Sequence, residues 1–599
     1  MLFRSNGSSK IQDVKEIAPE VRKTVWGRKY VQNFFSLPMM YEAMTKSLEA
    51  STKLMKALNV NTIISKSAEA KTKHQKFIHD INEIIEKWKK KGVELDSPES
   101  NYTMAIISNI FQFNNPESDV NERNQEYKER LLDVYEDVRK HREGVLGGGI
   151  KGNENQAKAD LLEKVLSNLG ITPEMDYKKA EQIVKDKFPG EYEVVTKTKE
   201  SFADNLEMFK DNTEIGNNRQ FKSVYNYGPT LVRSTKSTEN EISEIDKIKF
   251  DRQDISRKQV GSSFARTGKG KESVYDYNFL NTSSKVLLEQ LLDSHIQRET
   301  TIAQKILNSK EVAELLGNDN VEMIKRALVD KLNDDYRTSP IDKSASSWIT
   351  KKILALNNRY IRVMLGSANQ VFKQYAGVVA DAAIGEKMGK NVIKSWGLDY
   401  KKDSDVRNLL EKFPIGERIR ENPLFNTNAP TEELERAVID NRNKIIKSAE
   451  SALRSEDKAN KAWGELILTS LKTADNYAAM NTWIAAYAKK LEELDGTKFD
   501  DIDWKNESEK PNQDAADYAE QVISRTQYVS DTSLGSAALK SKSPADALFK
   551  NLLFPLATFT INNKNRILVD LANIKTDPNA MRRVISYGIG IGLYNLLTA

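Results

Sequence analysis

Apolar residues recur every three or four positions through most of the chain, the spacing that gathers them on one face of a helix. In FIHDINEIIEKWKKKG, Phe77, Ile81, Ile84, Ile85 and Trp88 make such a stripe. Lys89, Lys90 and Lys91 follow where the helix dipole favours cations, and Gly92 can close the end in the left-handed conformation. Met40, Met44, Leu48, Met55 and Leu58 form a similar stripe, read as a core face. In SSKVLLEQLLDSHIQRETTIAQKIL, Ser283 or Ser284 is placed to cap a helix. AWGELILTSLKTADNYAAMNTWIAAYAKKLEEL is the longest helical stretch, and Ala478, Ala479, Ala485, Ala486 and Ala488 would let a neighbouring helix approach closely. Alternating strand patterns at regular spacing do not occur, nor does a repeat of 20–50 residues. The fold class is all-α, as elongated multi-subdomain helical bundles.

Breaks in the periodicity divide the chain. Residues 1–146 read as an N-terminal helical subdomain. Residues 147–210 open on Gly147, Gly148 and Gly149, a flexible joint, and continue as a short helical segment. Residues 211–280 are rich in Gly, Asn, Ser and Thr without helical spacing, and read as a long extended arm. Within that arm Pro229 forces Gly228 toward extended geometry, and Tyr225 and Tyr227 can anchor on a partner. Residues 281–599 form a C-terminal helical module.

That module ends on an unusual segment, LFKNLLFPLATFTINNKNRILVDL, with no charge between Lys550 and Lys564. Pro555 lacks an N–H and clashes with the preceding turn, so two apolar helices are expected, near 545–553 and 555–574. They can form a buried hairpin or a latent membrane segment. A third apolar stretch, Val584 to Leu597, is too short to cross about 30 Å of hydrocarbon alone. Within it Gly588 and Gly592 share a helix face that allows close helix packing or membrane contact.

Length and composition narrow the chemistry. The 599 residues suggest three or four domains or subdomains. With 39% hydrophobic and 30% charged residues and a mean hydropathy of −0.59, buried faces should be narrow. The net charge is 91 − 86 = +5, which predicts only weak, non-specific DNA contact. Cysteine is absent, which excludes disulfides, thiolate metal sites and a Cys nucleophile. The four histidines, His74, His79, His141 and His295, read as structural. Nothing upstream of the C-terminal segment reads as a signal peptide or membrane span, so the chain is expected to be soluble when made.

No motif assembles a reaction centre. RTGKGKES, Arg266 to Ser273, lacks the order of a phosphate-binding loop and reads as solvated linker, with Arg252, Arg257 and Lys258 as further cations that could touch phosphates. GIGIG, Gly588 to Gly592, lacks the spacing of a dinucleotide fingerprint. The pairs Asp334–Asp335 and the trio Asp500, Asp501 and Asp503 have no calcium-loop spacing and read as surface acid. No HExxH, GxSxG or kinase set occurs. The sequence predicts no enzyme, no cofactor and no metal.

Four elements, in order, carry a resemblance. RYIRVMLGSANQVFKQYAGVVADAAI holds Leu365, Gly366, Asn369 and Gln374. The helix from Asp475 to Tyr487 follows. DYAEQVISRTQYVSDTSLGSAAL holds Ala519, Thr526 and Gln527. Last come Phe554, Pro555, Phe559, Asn562 and Asn563. The series resembles a helical module of large polyvalent proteins of bacteriophages. Leu556 stands where such proteins often carry another Phe, and no polymerase, protease or toxin domain precedes the module. The resemblance implies a non-enzymatic virion component, a cargo or ejection protein of the capsid or tail interior that serves genome delivery. After infection it would lie in the host envelope or cytoplasm. Implied partners are portal, tail or further cargo proteins, other copies of the chain, and the host membrane. Two alternatives stay open: a static structural protein lining the portal or tail lumen, and an accessory helical region of a virion-packaged enzyme such as an RNA polymerase.

Overall fold

The three-to-four-residue stripes close into helices almost throughout. The computed structural model describes residues 2–22, 31, 35–113, 118–142, 152–217, 232–234, 273–275, 277–336, 381–401, 403–416, 458–526 and 557–587. Among these residues the fold is all-α, with a single two-stranded ribbon.

The chain opens on α1 (Leu2–Ile17), α2 (Leu37–Met44), α3 (Leu48–Ala57) and α4 (Val60–Lys89). Met40, Met44, Leu48, Met55 and Leu58 are all buried, as their spacing suggested, but two helices share them. The backbone is extended at Thr45, and Ser47 starts α3 by accepting the Ala50 N–H at 3.2 Å. Gly92, beyond α4, has φ of +86°, the left-handed conformation that a helix end favours.

Next come α5 (Pro98–Ile110), α6 (Val120–Arg142), α7 (Gly152–Leu169), α8 (Tyr177–Lys187), α9 (Pro189–Ala203) and α10 (Leu206–Asn217). The 147–210 span is therefore more helical than one short segment, and α10 carries regular structure into the start of the predicted arm. Farther along, β1 (Val232–Ser234) pairs antiparallel with β2 (Ser273–Tyr275), Arg233 opposite Val274. Gly147, Gly148, Gly149, Tyr225, Tyr227, Pro229 and the stretch Arg252 to Lys271 lie outside the described residues.

Then follow α11 (Phe279–Leu307), α12 (Lys310–Leu316) and α13 (Asn318–Asp335). The cap expected at Ser283 or Ser284 is displaced. Because α11 starts at Phe279, both serines sit inside the helix, and Asn278 precedes it with Oδ1 3.5 Å from the Asn281 nitrogen. The last elements are α14 (Gly389–Ser395), α15 (Asp405–Glu411), α16 (Lys458–Asp495), α17 (Trp504–Glu509), α18 (Gln513–Thr526) and α19 (Ala557–Asn573), and residues 580–587 are helical.

The chain divides into two compact units. The central unit comprises Ala70–Thr301 and Asp335–Thr338. In it the ribbon is tied to α6: Asp137, fully buried, accepts the Tyr275 N–H and the Tyr277 hydroxyl, both at 2.9 Å. Gly190 opens α9 where a Cβ would meet the Trp88 and Leu95 side chains at 3.1 Å, tighter than ordinary contact, so a larger residue would have to push these side chains back by a few tenths of an ångström. Asp335 is not surface acid. It is buried and pairs with Lys71 at 2.8 Å, because an apolar helix face must neutralise a charge that it encloses.

The terminal unit comprises Met1–Glu69, Ile302–Asp334 and Ser339–Ala599. An apolar cluster surrounds α16, whose Ala478, Ala479, Ala485, Ala486 and Ala488 are all buried. Both α14 and α18 pack against α16, the close approach of neighbouring helices that these small residues allow. Trp483 fills the remaining volume, stacked on Tyr487 with ring centres 5.0 Å apart and 5.4 Å from Phe413. Its indole N–H donates to Glu520 Oε1 at 2.9 Å.

Candidate functional site

The terminal unit encloses a network of buried charges built from six separate segments. α2 supplies Glu42, α18 supplies Tyr518, Gln521 and Arg525, α19 supplies Asp570, the following turn supplies Asp577, and the 580–587 helix supplies Arg583. Glu386 enters from the residues just before α14. Helical spacing explains the placement on α18. Residues 518, 521 and 525 follow the same face as Ala515, Ala519 and Val522, so folding buries their polar ends with that face.

Arg525 grips Glu42 Oε2 at 2.9 Å and also bonds Asp570 Oδ1. Arg583 bonds Glu386 through two nitrogens, the second contact at 3.2 Å, and donates to Asp577 Oδ2 at 2.7 Å. It also lies 3.6 Å from Asp570 Oδ1, so that one oxygen bridges the two guanidinium groups. Gln521 donates to Glu42 Oε1 at 3.2 Å and contacts Ser51 at 3.3 Å. Tyr518 donates to Glu386 Oε2 at 3.4 Å and accepts from Lys489 at 3.0 Å.

Two guanidinium groups face four carboxyl groups, a sum of 2 − 4 = −2 when all are ionised. The environment resolves this excess unequally. Burial pushes the Glu42 carboxyl above its ordinary range, against the pull of Arg525. Burial also acts on Glu386, but the charge and hydrogen bonds of Arg583 outweigh it and hold that carboxyl below its ordinary range. Asp570 Oδ2, fully buried, has no hydrogen-bond partner among the described residues. Such a cluster holds its elements in one register and responds to protons.

A second tie lies in the same unit. The Arg22 guanidinium bonds the Asn573 side chain and lies 3.4 Å from the Ala572 carbonyl. The Arg22 N–H donates to the Met44 carbonyl at 2.8 Å, and Thr576 donates to the Lys46 carbonyl at 2.7 Å. Residues near 20, 45 and 575 thus meet.

The site residues singled out in the sequence are differently placed. Leu365, Gly366, Asn369, Gln374, Gln527, Phe554, Pro555, Gly588 and Gly592 lie outside the described residues. Phe559, Asn562 and Asn563 fall on α19. The helix expected over 555–574 is observed as Ala557–Asn573. Nothing in the sequence reading picked out Glu42, Glu386, Arg525, Asp570, Asp577 or Arg583. In a chain this charged, a lone Arg or Glu on a helix looks solvated. The available signal was Arg525 at helical spacing from the apolar positions of α18.

Among the described residues no group of three or more His, Asp or Glu side chains could hold a metal ion, and no helix is long and apolar enough to cross a membrane. Compared with known proteins, the chain matches no family model, no curated protein and no solved structure.

Proposed function

We propose that the chain is a non-enzymatic bacteriophage virion component, a cargo or ejection protein carried inside the head or tail and delivered with the genome. One observation carries this reading: the order of its C-terminal elements. Leu365-Gly366 with Asn369 and Gln374 comes first, then the long Ala-rich helix, then Gln527, then Phe554-Pro555 with Phe559, Asn562 and Asn563. The architecture supports it. Cargo that must deform and reassemble benefits from having no disulfide to reshuffle. A register fixed by buried Arg–carboxylate pairs lets the same arrangement recover after it has been disrupted.

Mass spectrometry of purified particles, full and emptied, tests the proposal. The chain is expected in full particles and depleted from emptied ones. Absence from full particles overturns the virion assignment. Retention in emptied particles at a fixed multiple of the tail symmetry identifies a static lining protein instead.

A further inference from the structure

Two exposed stretches of the terminal unit share one composition. From 384 to 398 the large solvent-facing side chains are Ile384, Lys387, Lys390, Ile393, Lys394 and Trp396. Glu386, the sole carboxylate of that stretch, is turned inward onto Arg583. From 578 to 587 the exposed side chains include Met581, Arg582 and Ile585, with no carboxylate in the stretch. Ile393 is 64% exposed, the most of any large apolar residue described, and Trp396 is 43% exposed. The Glu386–Arg583 pair fastens these stretches beside each other. Among the described acids nearby, Asp500 pairs with Lys394, Glu493 lies within electrostatic reach of Tyr518 and pairs with Lys489 and Lys490, and Asp399 stands at the far edge.

We propose that this surface binds an anionic lipid bilayer, lying on it without crossing it. The chemistry is that of an interfacial anchor: aliphatic side chains enter the acyl boundary, an indole sits among headgroups, and ammonium and guanidinium groups meet lipid phosphates. Nucleic acid would satisfy the cations but would gain little from Ile384, Ile393, Met581 and Ile585, which have no flat ring on which a base could stack. Lys387, Lys390 and Arg582 give the surface its positive field, and lipid answers both its charge and its apolar character. This inference stands apart from the virion assignment, since it rests on the exposed residues alone.

The full chain is tested by sedimentation with phosphatidylcholine vesicles, with or without phosphatidylglycerol, and by the emission of Trp396. Binding is expected only with phosphatidylglycerol, accompanied by a blue shift that Trp396→Phe removes while binding persists. At about 1 kcal/mol per cation near the surface, or about fivefold each, Lys387→Gln with Lys390→Gln is expected to weaken binding about twenty-fivefold. Ile393→Ser with Trp396→Ser is expected to abolish it, with circular dichroism unchanged. Equal affinity for uncharged vesicles, no vesicle binding at all, or binding that both double variants retain would overturn the proposal. So would capture of a DNA duplex that anionic vesicles fail to displace.

Discussion

Arg525 and Arg583 show what single side chains do here. Each guanidinium is almost wholly enclosed, and each touches carboxylates from other segments. Removing one leaves its carboxylates buried and uncompensated, so Arg525→Met is expected to destabilise the terminal unit by about 3–5 kcal/mol in urea unfolding. Proton linkage separates the two glutamates. Glu386 is held below its ordinary value of 4.5, so its contribution is complete above that value and is lost as pH falls through the folded one. Glu42 is held above 4.5, so its contribution is complete below that value and is lost as pH rises through the folded one. Glu42→Gln is therefore expected to flatten the decline in stability from weakly acidic pH toward neutrality, measured as unfolding midpoint against pH. His74 gives the central unit its own acid sensitivity. Burial lowers its pKa from 6.5 to about 4, while its ring Nε2 meets the Ser284 carbonyl at 2.8 Å. Stability is lost as pH falls across that interval, about 3 kcal/mol at full effect, and His74→Gln is expected to remove the loss. None of this was legible in the sequence, because burial of a charge depends on which distant segment answers it.

The individual helices were far more legible in the sequence. The alanines of α16 and the stripe of Phe77, Ile81 and Trp88 announced their helices, because a 3.6-residue period is a local property. Boundaries were harder. Ser283 and Ser284 looked like caps, yet α11 starts earlier, and one methionine stripe proved to be two helices joined at Thr45. The split follows from an extended backbone that apolar spacing alone does not encode. Ala485 is fully buried where the Asn391 side chain of α14 lies 3.4 Å from its carbonyl, so Ala485→Leu is expected to overpack the α14–α16 contact, at a cost of about 1–3 kcal/mol measured by thermal unfolding. A cap carries a smaller share. Ser97 accepts the Ser100 N–H at 3.2 Å to start α5, and Ser97→Ala is expected to cost about 1 kcal/mol.

For the whole molecule, length suggested three or four domains or subdomains, and the chain divides into two compact units whose segments interleave in sequence. Interleaving could not be read from composition, since it depends on which distant helices meet. Its clearest expression is the meeting of Glu42 with Arg525, and of Arg525 with Asp570. That contact has a consequence for biosynthesis. Residue 42 leaves the ribosome long before residue 570, and at about 5–20 residues per second the wait is on the order of half a minute to nearly two minutes. Throughout translation α2 presents a carboxylate and a methionine-rich face with no guanidinium to receive them. Nascent chains of this protein should therefore lean on holdase chaperones until the last helices emerge.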